Sequence, residues 1–272
     1  MSNIIDAQIL TLGVSDSSAG TGIQADIKTA QAFGVYAATV VTAVSMQNTN
    51  QVFGMHIMPA DVVATQLKVV MDDLKPVVIK SGMLANEEII NVIGDFMDEH
   101  KSPAIKFLVD PVMTSRTGSD LLDKPARDAL KRRLLIYADV LTPNKLEAEE
   151  LTGLSIRDVD DMKHAAEMLM SLGARCVIVK GGALASDSIY NVYCDDNGVQ
   201  VYEQPRYTSR ATHGAGTTFT AAIASLMAQG KNPQDAFEIA QNYLTEAIRL
   251  GKKMGSGFGP VNHGFHIKSF TG

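Results

Sequence analysis

The chain has 272 residues, 46% of them hydrophobic and 20% charged, with a formal net charge of −6. This composition suits a single α/β domain over residues 1–272 and argues against a nucleic-acid surface. No apolar run reaches the roughly 20 residues of a membrane span, residues 1–6 lack the basic start and apolar core of a secretory leader, and the two cysteines, Cys176 and Cys194, have no metal-type spacing, so a cytoplasmic protein with reduced thiols is expected.

Residues 7–14 read as a buried strand, followed at 15–22 by a loop of small residues. Helical spacing over 23–33 stops at Gly34, and 35–46 is β-branched and apolar, a second buried strand. A strand, helix, strand unit of this kind implies a parallel crossover. Residues 59–74 have the helical period, 77–80 form a short strand, and 86–100 a helix with Asn86 as its N-cap. A strand at 105–109 ends on Asp110-Pro111, and a helix follows at 124–137. Strand 140–141 breaks at Thr142-Pro143-Asn144 before a helix at 145–151. Then come a helix at 162–172 and a strand at 175–179 that ends on Lys180-Gly181-Gly182. Segments 188–194 and 200–207 flank Asp195-Asp196-Asn197-Gly198 and read as a hairpin; helices at 220–229 and 233–250 close the chain. The rhythm predicts a doubly wound, mostly parallel sheet with helices on both faces.

In such a sheet ligands bind beyond the carboxyl ends of the strands. The polar and glycine-containing breaks after the strands should therefore share one rim, and one of them stands out. Thr212-His213-Gly214-Ala215-Gly216-Thr217-Thr218-Phe219 places a Gly-x-Gly turn at the start of a helix. Its unpaired backbone N–H groups, backed by the positive end of the helix dipole, suit a phosphate in transfer. Two nucleotide-binding motifs are excluded. Gly20-Thr21-Gly22-Ile23-Gln24-Ala25 mimics the dinucleotide fingerprint, but its loop is too long and Ser45, Met46 and Gln47 stand where the ribose-binding acid belongs; no Gly-x-x-x-x-Gly-Lys-Ser/Thr occurs.

The blocks Ser15-Asp16-Ser17-Ser18-Ala19-Gly20-Thr21-Gly22, Gln47-Asn48-Thr49, Lys80-Ser81-Gly82-Met83-Leu84, Val109-Asp110-Pro111-Val112-Met113, Thr142-Pro143-Asn144 with Glu147, Val179-Lys180-Gly181-Gly182 and Gly214-Ala215-Gly216 closely resemble hydroxymethylpyrimidine/phosphomethylpyrimidine kinases. These are thiamine-biosynthetic enzymes of the ribokinase-like superfamily, and the resemblance runs from Ile9 to His266. It implies a ribokinase-like three-layer sandwich and ATP-dependent phosphorylation of 4-amino-5-hydroxymethyl-2-methylpyrimidine, and of its monophosphate to the diphosphate. By position, Asp16, Gly22, Gln47, Met83 and Val112 are implied to hold the pyrimidine, and Asn144, Glu147, Lys180 and Gly182 the nucleotide. Asp110 and Glu147 are implied for Mg²⁺, and Gly214, Ala215, Gly216 and Thr217 for the anion hole. The Gln47 carboxamide can read an aminopyrimidine edge with both donor and acceptor. Asn144 and Glu147 equally satisfy ordinary helix capping. Relatives of this type are often dimers, so a homo-oligomer is expected by analogy.

One position departs from the pattern. The residue after Gly-Ala-Gly is usually Asp or Cys, placed to take the substrate hydroxyl proton, and here it is Thr217. A threonine hydroxyl is no base near neutral pH, whereas a phosphate monoester, with a second pKa of about 6, is largely ionised already. The monophosphate step should therefore survive better than the alcohol step. The alternatives are a pyridoxal/pyridoxine kinase and a catalytically weak pyrimidine-binding sensor protein.

Overall fold

A computed structural model describes residues 7–114 and 120–267; residues 1–6, on which the absence of a leader was read, lie outside the described residues. The chain starts with β1 (Gln8–Asp16), α1 (Gly22–Ala32), β2 (Tyr36–Gln47) and β3 (Val52–Ile57). It continues with α2 (Ala60–Asp73), β4 (Val78–Ser81), α3 (Glu87–His100) and β5 (Lys106–Val109). Next come α4 (Lys124–Arg133), a 3₁₀ turn (Leu135–Tyr137), β6 (Val140–Leu141), α5 (Lys145–Thr152), α6 (Val159–Ser171) and β7 (Val177–Val179). The hairpin β8 (Ser188–Asp195) and β9 (Gly198–Pro205) leads to β10 (Ala211–His213), α7 (Ala215–Ala228), α8 (Pro233–Arg249) and β11 (Gly259–Pro260).

Nine strands form one sheet in the order β3-β2-β1-β4-β5-β6-β7-β8-β9. The run from β2 to β7 is parallel, and the margins turn antiparallel at β3, β8 and β9. Helices cover both faces. One core packs α2 to α6 against the sheet through residues such as Leu67, Ile89, Leu130 and Leu169. The other packs α1, α7 and α8 through Ala30, Ile223 and Phe237, giving the doubly wound three-layer sandwich of the ribokinase-like fold. Phe237 touches the rings of Tyr193, Tyr202 and Phe219, a cluster whose loss by truncation to Ala costs about 3–5 kcal/mol.

Chain direction across the sheet reverses between β1 and β4, because the chain first moves outward to β2 and β3 and then returns to the other side of β1. That switch point is where open α/β sheets leave a crevice. Asn86, Asp123, Asp158 and Asn232 cap α3, α4, α6 and α8 through their side chains, with Pro at the start of α4 and α8. Two of the helices that open onto the crevice, α1 and α7, begin without any side-chain cap.

Two local expectations are corrected, and three short strands are added to those read from the sequence. Edge strand β3, a segment to which the sequence reading assigned no element, closes a hairpin with β2 across residues 48–51, and its largely exposed residues lack a clear strand period. Helix 124–137 breaks at Leu134 into α4 and the 3₁₀ turn. β10, three residues long, pairs with β11, two residues long, across nearly fifty residues. Finally, α7 starts at Ala215 and not at Thr220. Gly214, at φ 78°, is its N-cap, and the Thr218 N–H donates to the Gly214 carbonyl at 2.8 Å. Ten consecutive residues from Thr218 to Met227 are buried, so burial on every side overrides the poor helix propensity of Gly216-Thr217-Thr218.

Candidate active site

Strand ends and helix starts enclose a cavity of about 680 Å³ at the switch point. Gly22, Gln47, Met83, Asp110, Val112, Asn144, Glu147, Lys180, Gly182 and Gly214 to Thr217 all line it. Sequence separations of up to 195 residues between these groups collapse because each follows a neighbouring parallel strand or opens the helix after it.

Asp16 is the exception, since it is not among the lining residues. Its buried carboxylate is turned into its own loop. Oδ1 accepts from the Ser18 amide and hydroxyl at 2.7 and 2.8 Å, and Oδ2 from the Gly20 and Thr21 amides at 3.0 and 2.8 Å, with His213 Nε2 at 3.3 Å. Burial pushes this carboxyl up, but the hydrogen bonds from His213, Ser18 and Thr21 outweigh it and hold it well below the usual carboxylate range. With both oxygens engaged, Asp16 shapes the loop over which a ligand would lie. The pyrimidine contact implied for it would have to be made beside these bonds, at the edge of the loop that it shapes.

The loop held by Asp16 and the start of α7 lock together at Gly214. A Cβ there would stand 1.8 Å from the Gly20 carbonyl oxygen, and the positive φ strains any other residue. The amides of Ala215, Gly216 and Thr217 occupy the first turn of an uncapped helix, so they have no intrahelical acceptor and carry the positive end of the dipole. The Thr217 hydroxyl lies 2.8 Å from the hydroxyl of Thr21, the N-terminal flank of α1.

Beside this turn stands a polar group built on the ends of β5, β6 and β7, with Lys180 Nζ 3.6 Å from where a Cβ at Gly216 would lie. Lys180 Nζ donates to Asp110 Oδ1 at 2.8 Å, and the Thr220 hydroxyl of α7 lies 3.2 Å from Asp110 Oδ2. Burial alone would lower the lysine; the charges of Asp110 and Glu147 reverse this and raise it, which keeps it cationic. Glu147 and Asn144 form a complete capping box. The Asn144 amide donates to Glu147 Oε2 at 2.7 Å, and the Glu147 amide to Asn144 Oδ1 at 3.0 Å. Glu147 is also buried against the cavity, and its carboxyl is pushed up by burial and by the charge of Asp110, against the pull of Lys180. Capping and cavity lining are thus met by the same side chain. Among the described residues no cluster of three or more His, Cys, Asp or Glu could hold a metal by itself. Two carboxylates do fit Mg²⁺, which binds through one or two of them together with waters and phosphates.

A family model described as phosphomethylpyrimidine kinase matches residues 16–262. The chain belongs to that family. It is 41% identical over 267 residues to the hydroxymethylpyrimidine/phosphomethylpyrimidine kinase of Haemophilus influenzae, covering 97% of this chain and 98% of that one. It is 43% identical over 255 residues to the thiamine biosynthesis bifunctional protein ThiED of Geobacter sulfurreducens, covering 94% of this chain but 52% of that longer protein. Among solved structures, the pyridoxal kinase from Staphylococcus aureus in complex with AMP-PCP and pyridoxal superposes with a TM-score of 0.87 at 36% identity, covering 96% of each chain.

The kinase carries cavity residues that its motifs did not single out. Thr21, Asp26, Lys80 and Asn191 line the same space, and Asn191 Oδ1 accepts from the Gly181 amide at 3.1 Å. For Lys80 a signal was present in the sequence, since it is a charge at the end of an otherwise apolar strand. Asp26 lies one helical turn after Gly22, on the same face, which is legible only once Gly22 is known to face a cavity.

Proposed function

We propose that this ATP-dependent kinase phosphorylates 4-amino-5-hydroxymethyl-2-methylpyrimidine and its monophosphate for thiamine biosynthesis, and that the monophosphate step is the faster. The observation that carries the pyrimidine assignment is Gln47. Its side-chain nitrogen is buried with no hydrogen-bond partner, on a residue that lines the cavity. An orphaned buried donor is costly, and an aminopyrimidine ring nitrogen is an acceptor that would satisfy it. Gly22, Met83 and Val112 would complete the ring pocket.

ATP would lie with its phosphates toward Lys180, Asn144 and Gly182, and its γ-phosphate at the amides of Gly214 to Thr217. Mg²⁺, held by Asp110 and Glu147 through its water shell and by the phosphates, would neutralise phosphate charge there. The substrate oxygen forms a bond to the γ-phosphorus as the bond to the β,γ-bridging oxygen breaks and ADP departs with the electron pair. An alcohol must also lose its proton. A phosphate oxygen of the monophosphate is already ionised at pH 7, and so is indifferent to the lack of a base at Thr217. Support for ATP comes from the AMP-PCP complex of the similar pyridoxal kinase.

ADP release measured with the alcohol, the monophosphate and pyridoxal in parallel tests the assignment. The monophosphate is expected to turn over fastest and the alcohol more slowly; equal pyrimidine rates would remove the selectivity, and faster pyridoxal turnover would replace the substrate. Pyridoxal is the second reading because the similar Staphylococcus aureus enzyme holds it. Binding without turnover would instead indicate a sensor. A cytoplasmic, single-domain protein is the accompanying reading; no described helix is long and apolar enough to cross a membrane. The exposed apolar face of β2 and β3, with Tyr36, Met46 and Phe53, favours a dimer.

A further inference from the structure

Two ammonium–carboxylate pairs line the cavity, and only one of them, the partly buried Lys180 with Asp110, is used above. The other joins Lys80, in β4, to Asp26, on α1. Lys80 Nζ lies 2.9 and 3.1 Å from the two oxygens of Asp26, and the Thr11 hydroxyl of β1 donates to Asp26 Oδ2. Both charged residues are 1% exposed. A buried pair of this kind rarely stabilises a protein more than apolar residues of the same shape would, so its retention on the wall of a ligand cavity points to chemistry.

An ammonium has three N–H donors. Two are directed at the oxygens of Asp26, and among the described residues no other protein acceptor engages Nζ. Space remains for the third on the cavity side. Lys80 and Gly82 both line the cavity, and a Cβ at Gly82 would stand 3.3 Å from Nζ, so glycine keeps the ammonium uncovered. The pair also lies on the side of the cavity where phosphate is transferred. β4 packs against α7, and Asp26 is close enough to Asp110 to feel its charge. Gln47, the ring-reading group, lies away at the end of β2. An acceptor beside Lys80 is therefore the reacting oxygen and not the ring edge.

We propose, resting on the pyrimidine-kinase reading, that Lys80 is a substrate-binding residue whose third N–H donates to the hydroxymethyl oxygen of the pyrimidine alcohol. Asp26 and Thr11 are positioning residues that fix the ammonium. The hydrogen bond aims the attacking oxygen and stabilises negative charge on it as its proton passes to an oxygen of the transferred phosphoryl group. In the monophosphate the same atom is an ester oxygen, a weaker acceptor, and another oxygen attacks, so Lys80 separates the two substrates.

Calorimetric titration of the full chain with the alcohol, the monophosphate and AMP-PCP tests this in two variants. Lys80→Met is expected to weaken the alcohol at least about tenfold, the value of a hydrogen bond to a charged donor, to weaken the monophosphate clearly less, and to leave AMP-PCP affinity unchanged. Lys80→Met also strands a buried carboxylate, so the charge-balanced double variant Asp26→Leu, Lys80→Met is measured beside it and should show the same split. Loss of both pyrimidines by one factor in the double variant, or no loss of the alcohol, overturns the role of Lys80. Absence of pyrimidine binding by the unsubstituted protein overturns the functional reading beneath it.

Discussion

The hydroxyls of Thr21 and Thr217 meet at 2.8 Å across the starts of α1 and α7, which both open onto the cavity. Neither hydroxyl is a base, and each satisfies the other. A carboxylate at 217 would instead accept from Thr21 and sit in the first turn of α7, where the dipole favours an anion. Thr217→Asp should therefore fold normally and raise alcohol turnover by about 100-fold or more, the usual contribution of a positioned base. Monophosphate turnover should change far less. Steady-state rates on both substrates decide the matter, and an equal rise on both would show that position 217 acts on something other than the hydroxyl proton.

Gly214 carries both a positive φ and a close approach to the Gly20 carbonyl. In Gly214→Ala the backbone strain alone is worth on the order of 1–3 kcal/mol, and relief of the contact must move the loop that Asp16 holds. Reduced thermal stability is expected together with a collapse of turnover on both pyrimidines, because the amides of Ala215 to Thr217 are displaced as a unit. A melting curve and a rate would check this; a stable variant with full activity would show that the loop and α7 need not interlock.

Glu147 tests whether capping and chemistry can be separated. Gln at the third helical position can accept from the Asn144 amide as Glu does, and it removes a charge whose burial is unfavourable. Glu147→Gln should melt no lower than the parent while its apparent Mg²⁺ affinity or turnover falls about 10- to 100-fold, as for groups that orient a metal. A lower melting temperature with intact Mg²⁺ dependence would leave only the cap.

Periodicity and glycine punctuation were enough to read the parallel sheet and its two helical layers, and the strand-end rule gathered Gln47, Asp110, Glu147 and Lys180 before any coordinate. The outcome for Asp16 was not legible, because a carboxylate in a small-residue loop has the same sequence whether it faces a ligand or its own amides. The pairing of Lys80 with Asp26 was hidden for a similar reason. Lys80 is a charge ending an apolar strand and Asp26 is one of several polar residues on α1, and only the sheet order, which sets β4 beside β1, brings them together. β10 and β11 depend on partners distant in sequence, where local propensity says little.

His263 joins the C-terminal segment to α7, with Nε2 3.0 Å from the Thr218 hydroxyl and its carbonyl accepting from the Tyr243 hydroxyl at 2.6 Å. Burial, and secondarily the charge of Lys28, lowers its pKa from 6.5 to about 4. The folded protein thus keeps this imidazole neutral while the unfolded chain protonates it below about pH 6.5. Stability associated with the neutral ring is fully present above that pH and is lost as pH falls toward 4, by an amount on the order of 3 kcal/mol. Urea unfolding between pH 7.5 and pH 4.5 should show this loss, and His263→Gln, which cannot titrate but can still bond Thr218, should show a shallower decline. Parallel pH profiles for the two proteins would mean that the acid sensitivity arises elsewhere and that His263 is not the group by which protonation loosens the first turn of α7.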